Sequence, residues 1–127
     1  AQTSGMGAAA FARLPDTRFH DPGLVGAGVY VQGTKTYQVT VDNLTPGDVV
    51  TVSCCGVRSA GGTNRRGEIT LTGGQSLTLD AATTASSNQI AFDPITISAS
   101  GRIILTLSVA PTSTYGYLHG LILDFAP

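Results

Sequence analysis

The sequence predicts an all-β fold: an antiparallel sandwich of the jelly-roll kind with about eight strands and an extended N-terminal arm. Three observations lead there. Apolar residues recur with period two along most of the chain, and helical periodicity is nearly absent. Short β-rich runs are separated by Gly, Pro, Asn and Asp clusters roughly every 8–15 residues. The chain has 127 residues and is 42% hydrophobic, enough for one core and too short for two ordinary domains.

The elements follow in order. Residues 1–22 read as an arm and 23–127 as the sandwich domain. The arm opens with small residues, so Ala1 fits either removal of an initiator Met or cleavage of a leader. Residues 1 to about 10 read either as a disordered terminus or as an extended arm that orders against a neighbouring subunit or capsid, with Phe11, Leu14 and Phe19 as its apolar anchors. The one place for a helix longer than a turn is near Ala8 to Arg13. In TYQVTVD, Tyr37, Val39 and Val41 take one face while Gln38, Thr40 and Asp42 take the other. LTPGD places Pro46 and Gly47 at the centre of a type II turn. Val49 to Val57 is a near-continuous β-branched run, the pattern of a strand covered on both sides. GEITLTG buries Ile69 and Leu71 and exposes Glu68, Thr70 and Thr72. Gly73-Gly74 then turns the chain into QSLTLD, with Leu77 and Leu79 inward.

NQIAF and ITIS form an interrupted strand, broken at Asp93-Pro94 because proline cannot donate to a ladder. RIILTLSV carries the strongest stripe: Ile103, Leu105, Leu107 and Val109 inward, with Ile104, Thr106 and Ser108 opposite. YLHGLILDF is read as the last strand, with His119 in phase with Tyr117 and Leu121. Two loops break the rhythm, Arg58 to Gly67 and Ala81 to Asn88. The first carries Arg58, Arg65 and Arg66 and is the candidate binding loop.

Cys54 and Cys55 are adjacent, so on a strand they point to opposite faces and do not form a relaxed disulfide. The expectation is two free thiols, one buried and one nearer solvent, in keeping with assembly in a reducing cytoplasm. Charged residues are only 12% and the net charge is −1, with Lys35 the single lysine. A phosphate-neutralising face is missing, which argues against nucleic-acid partners. No apolar run approaches the roughly 20 residues of a spanning helix, so membrane insertion is not expected.

The order of these segments resembles a known family. A strand follows LTPGD, and then come the Asn64-Arg65-Arg66 loop, SLTLDAATTASSNQIAF, GRIILTLSV and the closing STYGYLHGLILDF. Together they resemble a small β-sandwich domain of bacteriophage virion and tail-fibre proteins that is also attached to secreted bacterial hydrolases. Tyr115, Gly116, Tyr117 and Leu118 are its most recognisable element, and the resemblance spans residues 36–125. It implies a non-catalytic module and fixes no ligand. In hydrolases the domain is an appendage, whereas here it fills most of the sequence.

Three function classes compete. An enzyme needs a converging constellation, and no G-x-S-x-G elbow is present. Asp42, Asp48, Asp80, Asp93 and Asp124 fall at strand ends or turns, where Asp bonds its own backbone. No catalytic residue, metal or cofactor is therefore expected, although loop aspartates leave a structural Ca²⁺ open. A carbohydrate-binding module would use Tyr115 and Tyr117 as a platform beside Arg58, Arg65 or Arg66 and take a host-surface glycan. The preferred expectation is a structural virion protein: a capsid decoration or head- or tail-fibre subunit at the virion surface, assembled in the host cytoplasm. Its partners would be other virion proteins, with a homotrimer favoured.

Overall fold

The computed structural model describes residues 28–57, 64–82 and 88–127, together with the backbone of Gln2–Ser4. Phe11, Leu14, Phe19, Arg58 and the candidate helix near Ala8 to Arg13 lie outside the described residues. The strands are β1 Gln2–Ser4, β2 Gly28–Gln32, β3 Tyr37–Val41, β4 Val49–Cys55, β5 Arg66–Leu71, β6 Ser76–Asp80, β7 Gln89–Ala91, β8 Ile95–Thr96, β9 Ile103–Val109, β10 Tyr115–Leu118 and β11 Gly120–Phe125. No helix occurs among the described residues, and every pairing is antiparallel.

One layer runs β3-β9-β5-β6. The other is built from β1-β2-β10 and from β11-β4-β7, with β8 also on β4. These two pieces join because only His119 separates β10 from β11. Tyr30 opposes Tyr117 in the ladder, while a Cβ on Gly56 would lie 2.8 Å from the Tyr117 carbonyl oxygen. β2 and β4 therefore flank the β10/β11 ribbon on opposite edges. With β7/β8 and β10/β11 each taken as one interrupted strand, the pairings nest: β2 with β10/β11, β3 with β9, β4 with β7/β8, and β5 with β6. That nesting is the jelly roll. β1 adds a short strand outside it.

The turn chemistry explains the connections. Gly47 has φ 92° and the Asp48 N–H donates to the Thr45 carbonyl at 3.2 Å, the arrangement that Pro46-Gly47 predicts. Gly73 and Gly74, at φ 99° and 101°, close the β5–β6 hairpin. Between the layers, Val31, Val50, Val52, Ile69, Leu71, Leu79, Ile103, Leu105 and Leu107 are fully buried. They form one core with Cys54, Phe92, Ile97 and Leu118. The stripes of GEITLTG, SLTLD and RIILTLSV face it as their period requires.

Three expectations are corrected. Arg66 and Gly67 belong to β5 rather than to the loop, because their backbone groups pair with Asp80, Leu79 and Val109. YLHGLILDF is two strands, not one. Leu118 and Leu121 both pack on the core, three positions apart, so the alternation slips once between them. The slip is a β-bulge: Gly120 opposes Cys55 and the His119 N–H donates to the same Cys55 carbonyl at 2.8 Å. His119 is thus in phase with Tyr117 and out of phase with Leu121. Finally, both thiols are free and both are buried; neither is nearer solvent. Cys54 points into the core, and Cys55 is enclosed on the opposite face beside the bulge.

Candidate functional site

The outer face of β2 and β10 carries an aromatic cluster. Alternation puts Tyr115 and Tyr117 on one side of β10, and the ladder sets Tyr30 directly across from Tyr117. The ring centroids are 5.5 Å apart for Tyr30 and Tyr117, 6.0 Å for Tyr30 and Tyr115, and 6.2 Å for Tyr115 and Tyr117. His119 stacks on Tyr117 at 6.4 Å with 12° between the planes. Gly28, opposite on β2, leaves the room that the imidazole fills. Offset and edge-on ring pairs of this kind each contribute about 0.5–1.5 kcal/mol beyond the area they bury.

Arg65 reaches this cluster through the backbone of its neighbour Asn64. The Asn64 carbonyl accepts from the N–H groups of Thr114 and Tyr115 at 3.1 and 3.0 Å, which docks the Asn64-Arg65 turn on the start of β10. The guanidinium then lies 5.8 Å from the Tyr115 ring centroid, and its Nη1 donates to Asn64 Oδ1 at 2.6 Å. A half-desolvated cation over a tyrosine face is worth about 1 kcal/mol. Arg66 diverges from it. Its Nε donates to Asp80 Oδ2 at 3.3 Å on the outer face of the other layer, and Asp80 Oδ1 also accepts from the Ala82 N–H at 3.0 Å.

Of the residues expected to bind ligand, Arg65, Tyr115 and Tyr117 come together and Arg66 turns away. Tyr117 is only 4% exposed, so the ring face open to a ligand is that of half-buried Tyr115. Sequence reading overlooked Tyr30: alternation in GVYVQ puts it on the face opposite core-packed Val29 and Val31, and only the ladder with β10 sets it beside Tyr115 and Tyr117.

A second feature lies on the flank. β3 is an edge of its layer, and among the described strands none pairs with β11 on the side away from β4. Val29, Tyr37, Val39, Leu118, His119, Gly120 and Leu121 line an open groove of about 200 Å³ between the layers there. Tyr37 begins β3 and Phe125 ends β11, both on the core side of their strands, yet they remain 36% and 47% exposed.

Burial pushes both thiols up to about 12. At Cys55 the neighbouring Cys54 adds to the rise, and a backbone hydrogen bond from Gly120 opposes it. Thiols in this state behave as small hydrophobes. Among the described residues, no three His, Cys, Asp or Glu side chains gather to hold a metal, and no helix is long and apolar enough to cross a membrane.

No protein-family model and no curated protein matches the chain. The fold and these two surfaces define a jelly-roll β-sandwich with an aromatic face and an apolar flank.

Proposed function

We propose that this chain is a non-catalytic structural subunit of a bacteriophage virion, a capsid decoration or head- or tail-fibre protein that packs against copies of itself. The observation that carries the packing half is the flank between β3 and β11. Two strand edges with apolar residues between them are a liability in an isolated sandwich, and association removes that liability. Interface cores are rich in Tyr and Phe and poor in charge, as Tyr37, Val39, Leu121 and Phe125 are. The low overall charge limits repulsion between identical copies. The bacteriophage half rests on the resemblance that runs from LTPGD to the closing Tyr115-Gly116-Tyr117-Leu118.

Light scattering after size-exclusion chromatography tests it. The expected mass is about three times the 13.0 kDa of one chain. Tyr37→Asp and Phe125→Asp, at exposed positions that spare the core, should each return the protein to monomer. A parent chain that runs as a monomer would count against self-packing.

The second reading, a carbohydrate-binding module, is favoured by one observation: the Arg65 guanidinium over the Tyr115 ring. It gives a stacking face beside a donor fork, the pairing a glycan hydroxyl and ring would use. Under this reading Tyr115→Ala lowers affinity on a glycan array and leaves the melting temperature within a few degrees. Tyr117→Ala instead lowers stability, because its ring is enclosed.

A further inference from the structure

The pairing of β1 with β2 has an unusual connection. Gln2, Thr3 and Ser4 oppose Tyr30, Val29 and Gly28, so the chain leaves β1 and re-enters β2 at the same point on the sheet. Antiparallel neighbours need only two to five connecting residues. Here residues 5–27 intervene. Whatever its conformation, a connection of that length reaches at most roughly 80 Å when fully extended, more than a domain diameter. The strand it delivers makes three residue pairs, and it lies on the outer edge of β2, with none of the described strands beyond it in the sheet.

From these observations we infer that β1 is an exchanged strand: in the assembled protein, Gln2–Ser4 of one copy adds to the β2 edge of a second copy. The inference rests on the self-packing reading above and names the segment and the edge that would link the copies. The same three pairs form within a chain or between chains, so local geometry does not choose between them. The long connection lets the strand reach a neighbour, and the nearly neutral chain does not resist close approach. Exchange of one short element between identical protomers is a low-cost route to closed oligomers. It would also cover an edge that each copy otherwise presents. An exchanged strand adds backbone pairing that the flank contact lacks.

Mixed cross-linking decides it. Full-length Thr3→Cys and Val29→Cys proteins are unfolded, mixed, refolded together and mildly oxidised; the residues are direct ladder partners. Cys54 and Cys55 are buried and do not compete. The expected result is a covalent dimer, at twice the chain mass, that contains one copy of each variant. If only the Thr3→Cys/Val29→Cys double variant cross-links, within single chains, exchange is overturned. If neither preparation cross-links, β1 does not sit on β2 and exchange is equally overturned. Gln2→Cys with Tyr30→Cys repeats the test at the adjacent pair should the first variants fold poorly. The parent's mass separates the two ideas: an oligomer without mixed cross-links removes exchange and leaves self-packing standing, whereas a monomer removes both.

Discussion

Gly28→Ala should destabilise the protein through a single contact, with His119. An alanine Cβ at Gly28 would lie 2.6 Å from His119 Cγ and nearer still to Cδ2 and Nε2. Ordinary contact begins at 3.4 Å, so the ring must retreat by about 0.8 Å at Cγ and further at its leading edge. His119 is only 7% exposed and stacks on Tyr117, which leaves little room to yield. Overpacking of this kind costs about 1–3 kcal/mol. The lower entropy of the unfolded alanine chain returns about 0.4–1 kcal/mol, so the net loss is roughly 1–2 kcal/mol. At roughly 4 °C per kcal/mol for a chain of this size, the melting temperature falls by about 4–8 °C. The assay is a double-mutant cycle by urea unfolding. In the His119→Ala background the same change should cost nothing or stabilise slightly, giving a coupling of about 1–2 kcal/mol. Additive losses would refute the reasoning, because they would place the strain somewhere other than the imidazole.

Two further predictions concern buried and exposed polar groups. A folded thiol pKa raised from 9.0 to about 12 favours the protonated thiols of the native state. The stabilisation they share is complete below pH 9 and is lost as pH rises from about 9 toward about 12. Melting temperature should therefore fall over that window, and less so in Cys54→Ala/Cys55→Ala; labelling by a thiol reagent at pH 8 should track unfolding. The two ion pairs should separate in urea. Asp42→Asn removes a 2.6 Å pair with Arg102 in which both side chains are about half exposed, and should cost at most about 0.5 kcal/mol. Asp80→Ala removes the Arg66 contact and the acceptor for the Ala82 N–H at a site 13% exposed, and should cost about 1–2 kcal/mol.

The layers were legible because local signals agreed with the tertiary outcome. In RIILTLSV and GEITLTG the period-two stripe, the glycine turns and the burial all point the same way, so propensity and packing did not compete. The end of the chain was misread for a specific reason. A bulge is one inserted residue, and in YLHGLILDF the apolar residues are dense enough to suit either phase. Only the pairing of Gly120 and His119 with one residue, Cys55, reveals the slip. The expectation that one of the two thiols lies nearer solvent failed for a different reason: alternation sends Cys54 and Cys55 to opposite faces as expected, and the assumption that an outer face is a wet one does not hold at Cys55. The aromatic site was half legible. Tyr115 and Tyr117 follow from alternation within one strand, whereas Tyr30 joins them through a ladder between residues 85 or more apart in the chain, which no local pattern encodes.

The bulge also explains how one ribbon serves both surfaces. Before it, Tyr115, Tyr117 and His119 face outward; after it, Leu121, Leu123 and Phe125 take the core side, with Phe125 still exposed at the end of the strand. Were Gly120 an ordinary ladder residue, strict alternation from His119 onward would turn those last three to the outer face with the tyrosines. Deleting Gly120 removes the extra residue instead: His119 then stands alone opposite Cys55, and Leu121, now its immediate neighbour, still falls on the core side opposite Cys54. Both faces and the β11–β4 register survive, so the deletion variant should melt within a few degrees of the parent. A glycine inserted between Ile122 and Leu123 does change the phase, and turning the half-buried Leu123 outward costs about 1–2 kcal/mol, or about 4–8 °C in melting temperature. Inserting one glycine into the 111–114 turn, an exposed connection, should cost well under 1 kcal/mol and controls for chain length alone. If deleting Gly120 costs as much as the insertion within the strand, Gly120 is not the extra residue that divides the two faces.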